Sequence, residues 1–344
     1  MVLYGTLRQA IRKKEVMIKL SCYLLLALLV FPAYAQQHPG TEEFIDRAVT
    51  EYGLDGEEVA KLLAGATYQQ SIVDAISRPA EGKPWHEYRP IFLTEKRISE
   101  GVTFWNENKE LIQTVSEKLE VDPQIIVSII GVETFYGRIT GNYKVLDALI
   151  TLGFYYPQDL KRDRSEFFSG ELLHFLQLCE EENLPADEVT GSYAGAMGMG
   201  QFISSSYREY AVDFDENGSR DLWRSTPDVV GSVANYLHRH GWKLGDPVSK
   251  RAVATSHADE ALSASADYKP VLNVGEIAQK GYQSDSRLDP ERLAAVLKLE
   301  EENRNTYWLT FHNFYVITRY NRSPLYAMAV LQLSEEILKG MGNS

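Results

Sequence analysis

The residues best suited to chemistry lie in Asp122–Arg138, DPQIIVSIIGVETFYGR. Asp122 followed by Pro123 reads as a helix start: an oxygen-bearing cap, then proline at the first helical position, where its missing N–H costs nothing. Ile126, Ile129, Ile130 and Glu133 recur at three- and four-residue spacing and so share one face. Burying a carboxyl on an apolar face raises its pKa, which suits a general acid working near neutral pH. The plainer alternative is a glutamate at the edge of the stripe, neutralised by a partner such as Arg138.

Two further stretches are chemically unusual. Gly191–Ser206, GSYAGAMGMGQFISSS, packs four glycines and two alanines into sixteen residues, so other groups can approach its backbone closely. Without a catalytic neighbour it would be only a tight interhelical loop. It lacks the G-K-[ST] ending of a phosphate loop. In Asp213–Asp228, the run DFDENGSRD sets Asp213, Asp215, Asn217, Gly218 and Ser219 in the order of an EF-hand-like loop. Oxygens at alternate residues with glycine at the bend suit a hard cation, and calcium is expected. The closing position is Arg224 rather than a bidentate glutamate, and Asp228, just inside a helix opened by Thr226-Pro227, could take that role. The alternatives are an acidic Asx turn for the loop and a simple helix N-terminal contact for Asp228. The scattered histidines form no HExxH pattern, which speaks against zinc.

These residues need elements to hold them. Residues 41–120 read as mainly helical, broken by the proline-rich 77–90. Leu146–Phe154 and Phe167–Glu182 follow as an apolar run and an amphipathic helix. Past Trp242 the texture changes: short segments such as Pro247–Ala254 and Tyr268–Val274 suggest strands, with a short helix expected near Asp289–Leu299. Dense aromatics return over Thr306–Tyr320, and Ser323-Pro324 opens a last helix reaching about Leu338. The expected division is 36–120, 121–245, 246–305 as a small β-containing insert, and 306–344 returning to the core.

At 344 residues, 44% hydrophobic and 24% charged, the chain has an ordinary globular composition and room for several subdomains. A net charge of −13 without a basic stripe argues against nucleic-acid binding. The first 35 residues read as a signal peptide: Lys19, the apolar run Tyr23–Phe31, and the cleavage pattern Ala33-Tyr34-Ala35 before Gln36. Met17 is the expected start, with residues 1–16 upstream of it. Cleavage removes five of 35 basic and one of 48 acidic residues, leaving 30 against 47, or −17. Cys22 precedes the apolar run, where no lipid attachment is expected, so the reading is a soluble, exported, periplasmic protein. Cys179 alone remains, as a buried structural thiol with no disulfide partner.

Taken together, GVETFYGR at 131–138, GSYAGAMGMGQF with SSY to 207, AVDFDENG at 211–218, GSVANYLHRHGW at 231–242 and FYVITRYNRSPLYAMAV at 314–330 resemble the lytic murein transglycosylase B family of peptidoglycan-cleaving enzymes. The resemblance spans nearly all of the mature chain. It implies a mainly α, α+β protein: a lysozyme-like helical core with a helical N-terminal domain and a small β-containing subdomain. It implies Glu133 as the sole catalytic acid and base. It places Ser192, Gln201, Tyr320 and Asn321 in the sugar cleft, with Arg164 as a weaker carry-over. It maps a structural calcium site onto Asp213, Asp215, Asn217, Ser219 and Asp228, and implies no organic cofactor. The expected substrate is the glycan strand, cut at the β-1,4 bond between N-acetylmuramic acid and N-acetylglucosamine to leave a 1,6-anhydro end. Two rivals stay open. One is a hydrolytic muramidase, which would need a second carboxylate such as Asp147 or Asp163. The other is a non-catalytic, calcium-stabilised peptidoglycan-binding protein.

Overall fold

The computed structural model describes residues 38–78, 82–264, 268–284 and 287–342. The expected signal peptide and its cleavage site lie outside the described residues. Six helices come first: α1 (Thr41–Tyr52), α2 (Gly56–Gly65), α3 (Gln70–Ile76), α4 (Trp85–Phe92), α5 (Glu95–Glu107) and α6 (Lys109–Leu119). Local chemistry sets their starts. The Asp55 carboxylate accepts the Glu57 and Glu58 N–H groups to open α2, and Thr94 Oγ1 accepts Arg97 N–H to open α5.

The helix α7, Pro123–Thr134, forms where the sequence predicts it, with two differences. It is buried on every side from Ile125 to Val132 rather than along one stripe, so Glu133 leaves the core only because the helix ends there. Asp122 holds the cap position without capping; its carboxylate instead accepts Trp242 Nε1–H at 2.8 Å and Gly245 N–H at 3.1 Å. The start of the central helix is thereby tied to a segment more than a hundred residues downstream.

A two-residue strand β1 (Tyr143–Lys144) leads into α8 (Val145–Phe154) and α9 (Ser165–Glu181). Then come β2 (Thr190–Gly191), which pairs antiparallel with β1, and helices α10 (Ser204–Tyr210) and α11 (Thr226–Arg239). The insert contributes β3 (Ser249–Ala254), the short α12 (Glu260–Ser263), β4 (Leu272–Asn273), α13 (Val274–Gln279), β5 (Tyr282–Ser284), β6 (Leu293–Glu300) and β7 (Asn305–Thr310). Its antiparallel sheet has the order β4-β6-β7-β3-β5. Helices α14 (His312–Tyr320) and α15 (Pro324–Gly342) complete the chain.

The helix expected near Asp289–Leu299 is the strand β6. Its Ala, Leu, Lys and Glu favour helix, but residues alternate between two cores: Ala294 and Val296 join the insert's own cluster, while Leu297 and Leu299 join the main one. Pairing with β7, Leu297 opposite Trp308, supplies the ladder that decides the conformation. The segment from 306 begins as strand β7, between β6 and β3, and helix resumes at His312.

The last helix packs along α7, with Ser128 Oγ donating to the Val330 carbonyl at 2.6 Å. Among the described residues no helix is long and apolar enough to cross a membrane. Cys179 is buried, which pushes its thiol up to about 12.

Candidate active site and cation loop

Glu133 stands in the last turn of α7, half-buried. Beyond it the chain turns sharply: Phe135, Tyr136 and Gly137 all take positive φ, at 53°, 59° and 83°. Such a run is costly for residues with a Cβ, and contacts on both sides hold it. Tyr136 fills the space beside Gly131, where a Cβ would approach its ring to 2.6 Å, and donates to the Arg97 carbonyl at 3.0 Å. Thr134 Oγ1 donates to the Met199 carbonyl at 2.8 Å and accepts Gly137 N–H. The helix end is thereby fastened to the glycine-rich loop.

Arg138 forms a bidentate pair with Glu100 of α5, and one partner of Glu133 comes from the last helix. It is Tyr326 of α15, whose hydroxyl donates to Glu133 Oε1 at 2.6 Å. Tyr326 is buried; that burial and the charge of Glu133 hold its hydroxyl well above the usual phenol range, so it stays a donor. Tyr326 lies inside the 314–330 segment that carries the family resemblance, but the sequence reading gave it no role of its own. One signal was available: a tyrosine among alanine, methionine and valine on the buried face of a helix needs a partner for its polar tip.

Tyr320 lies close enough for the Glu133 charge to act on it, although burial is the larger cause of its raised pKa. Its ring packs on Phe202 and Tyr236, and its hydroxyl donates to the Gly200 carbonyl at 2.5 Å. Tyr320 therefore fastens the glycine-rich loop to α14. Gln201 takes a positive φ of 51° and donates Nε2–H to the carbonyls of Thr140 and Gly198, leaving its oxygen for other contacts. Ser192 Oγ accepts the Ala194 and Ala196 N–H groups, so its single proton remains to donate. Asn321 Oδ1 accepts Ser323 N–H. Arg164 is exposed, stacks over Phe167 and Phe168, and lies within electrostatic reach of Arg162, Arg322, Tyr156 and Tyr193.

The two acids available to a hydrolytic mechanism, Asp147 and Asp163, are engaged elsewhere. Asp147 accepts Thr67 N–H at 2.8 Å and Gln69 Nε2–H at 3.3 Å from the loop before α3. Asp163 accepts Ser165 N–H at the start of α9.

The acidic loop has the donor chemistry of a hard-cation site. Asp213, Asp215 and Asp228 each offer a carboxylate oxygen, all within 4.8 Å of one another. Such convergence is repulsive unless positive charge offsets it. Asp213 accepts the Asn217 and Gly218 N–H groups, which curls the loop inward, and Asn217 Oδ1 accepts Ser219 N–H. Asp228 is fully buried and takes Phe214 N–H on one oxygen and Asp221 N–H on the other, clasping both limbs of the loop. Next to Asp221, the Leu222 carbonyl accepts Met199 N–H at 2.7 Å. Met199 thus bridges the cation loop and the end of the Glu133 helix.

Fold and site together define a class of enzyme, and comparison with known proteins places the chain within it. The chain belongs to the transglycosylase SLT domain family, whose model matches residues 36–335. It is 38% identical over 310 residues to membrane-bound lytic murein transglycosylase B of Escherichia coli (strain K12), covering 87% of this chain and 83% of that protein. The crystal structure of soluble lytic transglycosylase SltB1 from Pseudomonas aeruginosa superposes with a TM-score of 0.80 at 44% identity, covering 88% of this chain and 100% of that one. Escherichia coli Slt35 in complex with calcium gives 0.78 at 37% identity, covering 89% and 95%. Pseudomonas aeruginosa SltB3 in complex with NAG-anhNAM-pentapeptide gives 0.74 at 32%, covering 87% and 78%. The fold is the lysozyme-like one of lytic transglycosylases, and the protein is an enzyme of this peptidoglycan-cleaving family.

Proposed function

We propose that the protein cleaves the β-1,4 bond between N-acetylmuramic acid and N-acetylglucosamine and leaves a 1,6-anhydro end, with Glu133 as the single acid and base. The observation that carries this reading is the Tyr326–Glu133 hydrogen bond. With Oε1 accepting from Tyr326, the acidic proton of neutral Glu133 belongs on Oε2, directed at the bridge oxygen. After proton donation, the Tyr326 hydroxyl stabilises the carboxylate by a charge-assisted bond. The muramic N-acetyl group steadies the developing cation, held by Asn321 or Ser192. The carboxylate then takes the proton from the sugar's C6 hydroxyl, which attacks the anomeric carbon. An intramolecular nucleophile has a high effective concentration, so no second carboxylate is required to activate water.

Tyr320 walls the cleft, the Gln201 oxygen and Ser192 hydroxyl contact sugar, and Arg164 lies further along. Asp213, Asp215, Asn217, Ser219 through its backbone, and Asp228 would hold calcium, which supplies fixed positive charge to the loop. The glycan strand is reached in the periplasm after export and cleavage before Gln36. The test is Glu133→Gln on purified sacculi. Activity falls at least ~10²-fold, while melting temperature and sacculus binding stay at the wild-type level. Near-wild-type activity would reject the assignment.

A further inference from the structure

Away from Glu133, a cavity of about 480 Å³ is lined by Tyr68, Phe154, Tyr155, Tyr156 and Gln158. Its walls are fixed from behind. The Tyr155 hydroxyl hydrogen-bonds His38 Nδ1 at 3.0 Å, and His38 Nε2 bonds the Leu63 carbonyl at 3.0 Å. Phe44 meets Phe154 edge-on at 5.5 Å, and Tyr156 stacks on Phe168 at 6.0 Å. Tyr68 crosses Tyr155 at 5.0 Å and is half-buried, so part of it faces solvent. Rigid aromatic walls with one exposed amide suit the apolar face of a pyranose ring carrying an N-acetyl group. The lining carries no charged side chain, which favours a neutral sugar over the ionised groups of a stem peptide.

The cavity wall also adjoins Arg164, which the family resemblance places on the glycan path. Tyr156 stacks on Phe168, and the Arg164 guanidinium lies over the same Phe168 ring at 5.0 Å.

We infer that this aromatic cavity is a distal saccharide subsite, binding a neutral N-acetylated sugar ring of the same glycan strand whose bond is cut at Glu133. The inference rests on the proposed glycan substrate. Its test uses the mature chain, Tyr68→Ala and Tyr68→Phe, with defined-length strands of alternating N-acetylglucosamine and N-acetylmuramic acid from the tetrasaccharide upward. Among the described residues the Tyr68 hydroxyl donates to nearby Gln70 and its ring packs on Tyr155, so an unchanged melting temperature in each variant is the check that the fold is intact. Tyr68→Ala should raise KM roughly two- to tenfold, the range of one aromatic contact. That rise appears only above a threshold strand length, with kcat unchanged. Tyr68→Phe, which keeps the ring, should match the wild type. An equal effect at every length, or none at any length, overturns the subsite alone. Failure of the wild type to cleave strands of any length rejects the functional reading and the subsite with it.

Discussion

At the scale of single residues, the account turns on two side chains brought together from 193 positions apart. Tyr326→Phe keeps the ring and its packing while removing the hydrogen bond to the Glu133 carboxyl. A bond to a charged group contributes ~1.5–3 kcal/mol, so kcat on sacculi should drop roughly tenfold or more with the fold retained. Unchanged turnover would mean that Tyr326 only packs. The raised pKa values of Tyr326 and Tyr320 also carry a pH consequence, since both are held above the ordinary value of 10.0 chiefly by burial. Each favours the folded state through its neutral form. That contribution is complete below the unfolded value and is lost as pH rises past it. The melting temperature should therefore decline above about pH 10, less steeply in Tyr326→Phe; a flat profile would contradict this. The placing of Glu133 on an apolar helix was legible, whereas its catalytic role was only what the family resemblance implied. Its partner was not legible, because the pairing of α7 with α15 is tertiary and no local period encodes it. For the same reason Arg138 looked like a plausible neighbour in sequence, while α5 in fact supplies Glu100 to it.

At the scale of elements, the glycine-rich loop and the acidic loop behave as one unit joined through Met199. Gly198 permits this contact, since a Cβ there would stand 2.4 Å from the Leu222 carbonyl oxygen. The alternation of oxygen-bearing residues around Gly218 was readable in the sequence because it is local. The clasping role of Asp228 was readable only as a possibility, since its two backbone donors lie on opposite limbs of the loop. Strand β6 shows the opposite limit: its composition favours helix, and only the β7 ladder and a second core make it extended. Calcium added to chelator-treated protein should bind the native loop and raise the melting temperature. The gain would be about 2.7 kcal/mol at a hundredfold excess over Kd. Asp215→Ala should blunt that response while leaving the Tyr326–Glu133 contact in place. A melting temperature indifferent to calcium in the wild type would count against the site.

At the scale of the whole molecule, the helical N-terminal segment packs on the central helices, and β6 of the insert meets α4 of that segment. His86 bonds the Glu300 carbonyl across that contact, while Trp242 bonds Asp122 within the core. The exported form should begin at Gln36 without lipid, as its intact mass would show; an acylated Cys22 would overturn that expectation. The central claim concerns the fate of the glycan, and the mass of the product decides it most directly. An anhydro end is one water lighter than a reducing end, because the sugar's own hydroxyl has taken the place of water at the anomeric carbon. Sacculi digested by the wild-type protein should release fragments ending mainly in 1,6-anhydromuramic acid. Fragments ending mainly in reducing muramic acid would contradict the account and require a second carboxylate to activate water.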